Sequence, residues 1–193
     1  MRKKYEVEDI LSVGSSLIRK NGYHNTGIND ILKVSKIPKG SFYNFFRSKE
    51  DFIIQVLNYY GDYSLDLIAS VFDDKSLRPL ERIKKFYDFI NNDNTSEDCS
   101  AGCLVNNMST EVGGINLEIG TKAEEQFQKW TTYIAQTIKE GQEQGEIIDT
   151  YSAKELADYL HQSFFGALTR MKATRSKAPL DLTLKMMLDF LKK

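Results

Sequence analysis

The chain has 193 residues, 41% hydrophobic and 27% charged, with a net charge of −1; this is the make-up of a globular protein of one or two domains with a core of its own. No apolar run approaches the roughly 20 residues that a bilayer-crossing helix needs, the opening MRKKYEVED lacks an apolar signal core, and two cysteines make no disulfide framework, so a cytoplasmic protein is expected. Charge is unevenly spread: residues 1–50 carry ten Lys+Arg against five Asp+Glu, and the remainder sixteen against twenty-two, so the basic end has the electrostatics of a phosphate-binding surface.

The first helix is predicted over residues 5–21, with Ile10, Leu11, Val13, Leu17 and Ile18 at helical spacing and a stop at Asn21-Gly22. Thr26 is the expected N-cap of the second, whose apolar face is Ile28, Ile31 and Leu32. Lys36-Ile37-Pro38 ends it, since the residue before a proline is pushed out of helical geometry, and Pro38 suits the start of the next helix. Residues 39–46 form a short third helix anchored by Phe42, Phe45 and Phe46. Helix, short turn, helix is the arrangement that places its second helix in a DNA major groove.

Ser48 caps the fourth helix, with Glu50 and Asp51 in its first turn, where the helix dipole favours acids. The apolar pattern Phe52, Ile53, Val56, Leu57, Tyr60, Tyr63, Leu67, Ile68 and Val71 then continues over 48–72 as one rod. Pro79 opens a fifth helix through Ile90, and residues 91–100 are polar and read as a loop. A short helix spans 102–112, and a Gly113-Gly114 break precedes a long helix over 117–145. Ser152 and Glu155 form a capping box for the eighth helix. Pro179 precedes the last, whose apolar residues are Leu180, Leu184, Met187, Leu188 and Leu191. No nucleophile motif, metal-ligand spacing or phosphate loop is present in this pattern, so no enzyme, cofactor or metal is expected.

The stretch 26–52 resembles the DNA-binding half of the TetR family of bacterial transcriptional repressors. Thr26, Ile31, Ile37, Lys39, Gly40, Phe42, Tyr43, Phe46, Ser48, Lys49, Glu50 and Phe52 stand in that family's order and spacing. Leu32, Lys36 and Phe45 depart from it, replacing a small alanine, a turn glycine, and a histidine or tyrosine. A left-handed Lys36 costs about 1–2 kcal/mol relative to glycine.

The resemblance implies an all-α fold of about nine helices: a three-helix head over 1–47 and a six-helix ligand-binding and dimerising body over 48–193. It implies DNA contacts from Thr26, Lys39, Gly40, Ser41, Tyr43, Asn44 and Lys49, with the arm Arg2, Lys3 and Lys4 laid near the phosphates. With no arginine in the third helix to bind guanine bidentately, phosphate contacts are expected to carry much of the affinity and to make it fall with salt.

The implied partners are double-stranded operator DNA, a second copy of the chain, and a small-molecule effector. The dimer surface is expected from Phe164, Gly166, Ala167, Leu168, Met171, Leu184, Met187, Leu188 and Leu191, where small residues beside bulky ones permit close helix crossing. The effector pocket is expected among Tyr59, Tyr60, Phe86, Cys103, Met108, Phe127, Trp130, His161 and Phe165. Aromatic and Met residues at this spacing also make plain core. The string Gly102-Cys103-Leu104-Val105-Asn106-Asn107 with Glu111-Val112 is similar to a motif of the NemR-like subgroup, whose cysteine senses electrophiles. An electrophile-sensing repressor acting through Cys103 is therefore the alternative, and a helical protein-interaction module a remote one.

Overall fold

A computed structural model describes residues 5–95, 99–100 and 102–193; the basic arm at residues 2–4 lies outside them. The described residues form nine α-helices: α1 (Val7–Asn21), α2 (Ile28–Ser35), α3 (Lys39–Phe45), α4 (Lys49–Phe72), α5 (Pro79–Thr95), α6 (Leu104–Met108), α7 (Leu117–Glu143), α8 (Ala153–Thr174) and α9 (Ala178–Leu191). The all-α architecture stands, and the β pairing among the described residues is one isolated bridge, Ile147 to Lys192.

Local chemistry explains most boundaries. Ser152 and Glu155 close the expected capping box, Ser152 Oγ accepting from the Glu155 N–H and Glu155 Oε2 from the Ser152 N–H. Ser48 Oγ accepts the Asp51 N–H at the head of α4. Lys36 does adopt the left-handed conformation, φ 54°, closing α2 with its own N–H on the Leu32 carbonyl.

Three expectations are corrected. The N-cap of α2 is Gly27, whose N–H is taken by the Asp30 carboxylate; Thr26 is instead fully buried, its hydroxyl donating to the Gly22 carbonyl. Helix α5 continues to Thr95 rather than ending at Ile90, because Asn94 Nδ2 bonds back to the Ile90 carbonyl, and residues 96–98 of the expected loop lie outside those described. The short helix after Gly102 is α-helical only to Met108, and Ser109–Gly113 forms a π-helical turn.

The chain divides into two compact units, residues 1–63 with 103–126, and residues 64–102 with 127–193. Thus α6, the π turn and the first part of α7 group with the three-helix head, whereas sequence patterning alone places the boundary at 47–48.

In the first unit, Phe42, Phe46 and Phe52 are fully buried, their ring centroids 4.8–5.5 Å apart. Gly14 lets α1 lie against Phe52, since a Cβ there would come 2.3 Å from the ring. In the second unit α8 packs along α9, and α5 also packs on α9. Arg82 is buried there with its guanidinium donating to the Phe72 carbonyl and pairing with Glu140. A buried cation needs such partners, and both are supplied by neighbouring helices.

Candidate functional site

In the first unit, α3 is a seven-residue helix held by one side. Phe42 is buried and Phe46, just past its end, is buried too, which turns the opposite face outward. Lys39, Gly40, Tyr43 and Asn44 are exposed there and Ser41 is half-buried. A Cβ added at Gly40 would meet nothing within 4 Å; an approaching backbone or phosphate has clear space at this point. The structure therefore brings five of the seven expected DNA-contact residues onto one short segment.

The other two turn inward. Thr26 has no exposed surface. Lys49 is half-buried, its Nζ 2.6 Å from the Tyr23 carbonyl and 3.9 Å from the centre of the Tyr23 ring. Burial lowers the Lys49 ammonium pKa, opposed by Glu50, Glu111 and Asp30. Both residues hold the turn between α1 and α2 instead of offering their polar groups to a phosphate. Around the same turn, Tyr23 donates its hydroxyl to Glu50 Oε1 at 2.9 Å; burial and that bond push its phenol up to about 12.

One cation was not singled out by sequence. Arg47 follows α3 with 92% of its side chain exposed, 3.6 Å from Asp51. Its signal was its place between the buried Phe46 and the capping Ser48, both of which fix the backbone and leave the guanidinium outside.

The expected effector residues fall in both units. In the first, Met108 is buried and Tyr59 and Tyr60 half-buried. Cys103 is half-buried at the start of α6. Burial raises its thiol pKa, opposed by the N–H groups of Asn106 and Val105, the Tyr60 hydroxyl and Arg19. In the second unit, the rings of Phe127, Trp130, His161 and Phe165 meet: His161 lies 4.3 Å from Phe165, 5.2 Å from Phe127 and 6.1 Å from Trp130.

Phe86 belongs to an adjoining chain of rings, Phe86 to Tyr87 at 5.3 Å and Tyr87 to Phe164 at 5.1 Å. Burial drives the His161 pKa down to about 4, so the ring is neutral at pH 7. Among the described residues of this unit, five buried polar atoms lack a hydrogen-bond partner: Arg82 Nε, Tyr87 Oη, Asn91 Oδ1, Asn94 Oδ1 and His161 Nε2. Buried polar groups are normally satisfied, which singles these out.

The expected dimer residues are mostly internal. Phe164, Ala167, Leu168, Met171, Leu184, Met187 and Leu191 are buried within the single chain, where they form the seam of the second unit's helices. Leu188 is half-buried and Gly166 exposed. The apolar residues that α8 and α9 leave exposed are Tyr159, Leu182, Met186 and Phe190, at 42–61%, with Tyr159 and Phe190 in ring contact at 5.6 Å.

Two family models match the chain. Bacterial regulatory proteins of the tetR family match residues 10–56, and the tetracyclin repressor-like C-terminal domain matches residues 79–187. The transcriptional repressor DhaR of Mycobacterium sp. strain GP1 is 32% identical over 95% of this chain and 91% of its own. The repressor NemR of Escherichia coli K12 is 26% identical over 90% of this chain and 87% of its own. A crystal structure of the regulatory protein TetR from Rhodobacter sphaeroides superposes with a TM-score of 0.90 at 28% identity, covering 95% of this chain and 97% of that one. The chain therefore belongs to the TetR family of bacterial regulatory proteins, and α2 and α3 are its DNA-binding helix-turn-helix.

Proposed function

We propose that the protein is a cytoplasmic, dimeric repressor that leaves its operator when a small neutral molecule binds in the second unit. The observation that carries the DNA half is the outward face of α3, with Lys39, Ser41, Tyr43 and Asn44 standing beside the exposed Arg47. Lys39 and Arg47 are suited to phosphates, Asn44 and Tyr43 to base edges or sugar. A single helix this short cannot specify a genomic site, and two copies related by a two-fold axis read two half-sites. The second copy docks on the exposed strip Tyr159, Gly166, Leu182, Met186 and Phe190, while the buried residues beside it stiffen that strip.

The effector's chemistry follows from the unpaired atoms of the second unit. Asn91, Asn94 and His161 present acceptor atoms and Tyr87 a hydroxyl, and His161 lies against the aromatic cluster of Phe127, Trp130 and Phe165. Arg82, the buried cation of this unit, has its charge paired with Glu140 and a further N–H taken by the Phe72 carbonyl, which leaves its Nε as a lone donor. An anion entering here would pay its desolvation without a countercharge, so the fitting ligand is neutral, flat or apolar in body, and carries a hydroxyl or N–H donor. Release is then a population shift that requires the ligand to prefer the conformation that does not fit the operator.

Fluorescence anisotropy with the duplex flanking the gene tests the first half: affinity should drop steeply as salt rises, and a flat salt response removes the phosphate-contact reading. A thermal-shift screen tests the second. Neutral aromatic alcohols or amides should raise Tm and lower operator affinity together, and hits restricted to carboxylic acids would reverse the assignment.

A second reading has electrophiles alkylating Cys103. Two backbone N–H groups and the Tyr60 hydroxyl favour its thiolate, but burial has the larger effect and keeps the thiol protonated. If iodoacetamide releases DNA from Cys103→Ser as well as from the wild type, that reading is gone. An interaction module with no DNA target accounts for neither the outward polar face of α3 nor the family match.

A further inference from the structure

Glu111 stands at the centre of the π-helical turn Ser109–Gly113, a rare geometry often found at functional positions. Its carboxylate reaches 88 positions back along the chain to the turn joining α1 and α2. Oε2 accepts the Tyr23 N–H at 2.9 Å, and Oε1 accepts the His24 N–H at 2.8 Å. Gly22 is shaped for this contact: its φ is +82°, and a Cβ there would stand 2.8 Å from Glu111 Oε2. A neighbouring bond runs the same way, Asn107 Nδ2 donating to the Arg19 carbonyl at 3.4 Å.

The far side of the same turn is held from α4. Lys49 Nζ donates to the Tyr23 carbonyl and Tyr23 donates its hydroxyl to Glu50. The peptide groups of Tyr23 are thus fixed on their N–H side by Glu111 and on their carbonyl side by Lys49. Thr26, three residues on, is tied to the Gly22 carbonyl, and α2 begins at Ile28. The turn that sets the direction of α2, and through it of α3, is clamped on its N–H side by a carboxylate that belongs to neither helix of the motif.

We propose that Glu111 is a positioning residue for operator binding: the π turn presents its carboxylate to the α1–α2 turn, and those two bonds hold the helix-turn-helix in the pose that fits DNA. This rests on the reading that α3 docks on duplex DNA. Hydrogen bonds from N–H groups to a carboxylate are among the stronger protein hydrogen bonds, and a π turn is one residue per turn away from α-helical register. Rewinding Ser109–Gly113 to α-helix would rotate Glu111 off the turn and release the head, without any change at α3 itself.

Sign separates this role from simple electrostatics. Glu111 is an acid in the DNA-binding unit, so deleting its charge should strengthen phosphate binding if charge were its whole contribution. Positioning demands the opposite.

The experiment uses the full-length chain with Glu111→Ala and Glu111→Gln, at a temperature where each is fully folded. Amide hydrogen exchange is read by NMR at Tyr23 and His24, and affinity by anisotropy with the duplex flanking the gene. In Glu111→Ala both amides should exchange about tenfold faster or more while α8 amides keep their rates, and affinity should fall about tenfold, the scale of two lost charge-assisted bonds partly replaced by water. Glu111→Gln keeps one acceptor oxygen and should fall between, with one amide still protected; it also carries the test if the alanine variant does not fold.

Unchanged exchange in both variants, or faster exchange with equal or higher affinity, overturns the proposal. A lowered Tm with normal affinity of the folded protein makes Glu111 a stabilising residue only and overturns it too. If the wild type fails to bind the duplex, the docking reading falls and the positioning role with it, while the exchange data still report whether the clamp exists.

Discussion

Single side chains divide by which way their polar group points. Lys39 is exposed, so Lys39→Ala should leave Tm unchanged, weaken operator binding, and reduce the slope of log affinity against log salt by about 1, the value for one lost phosphate contact. An unchanged slope would place Lys39 off the backbone. His161 behaves differently because it is buried. Its folded pKa of about 4 lies below its ordinary 6.5, so the unfolded chain binds a proton first as pH falls. The stability that neutral His161 contributes is complete above pH 6.5 and is lost on acidification toward 4, roughly 3 kcal/mol across the window. Urea denaturation of wild type and His161→Gln at several pH values checks this: the wild type should lose more stability over that interval, and parallel curves would contradict the buried neutral ring.

Elements are decided by how closely they approach. Helix α1 lies on the Phe52 ring at Gly14, where a Cβ would intrude to 2.3 Å. Gly14→Ala gains helix propensity of up to about 1 kcal/mol, yet overpacking the ring costs about 1–3 kcal/mol. Because Phe52 is itself fully buried and touches Phe42 and Phe46, it has no room to yield. A net loss in urea midpoint is expected, and a gain would mean that the ring relaxes. Sequence periodicity placed Phe42, Phe46 and Phe52 in the core and the caps at Ser48 and Ser152, because both features are local, whereas Phe45, expected as a third anchor of α3, is only half-buried. It misplaced the cap of α2, since Thr26 and Gly27 are both competent caps and only the Gly22 carbonyl decides which way the Thr26 hydroxyl turns.

At the scale of the whole molecule, α9 has one buried face and one exposed face. Leu184 is buried, so Leu184→Ala should destabilise the fold by about 2–5 kcal/mol. Leu182 and Met186 are 61% and 58% exposed in the single chain, so the pair Leu182→Glu, Met186→Glu should fold normally, sediment as a monomer and lose operator affinity. A dimeric double variant would move the dimer surface elsewhere. The expected dimer residues were recognisable in sequence as an apolar helical stripe, but a stripe does not say whether its partner is the next helix or a second chain.

Much of this protein follows from its sequence alone. Helix lengths, stops and caps are set by contacts within a few residues, and the spacing of Thr26 to Phe52 carries the family. Tertiary structure alone decided what depends on residues far apart in the chain. Thr26 and Lys49 turn inward because the Gly22 and Tyr23 carbonyls need donors, and His161 loses its proton because rings from α7 and α8 surround it. Glu111 meets the α1–α2 turn only because α6 and the π turn fold onto the head: no local pattern encodes a hydrogen bond 88 residues long.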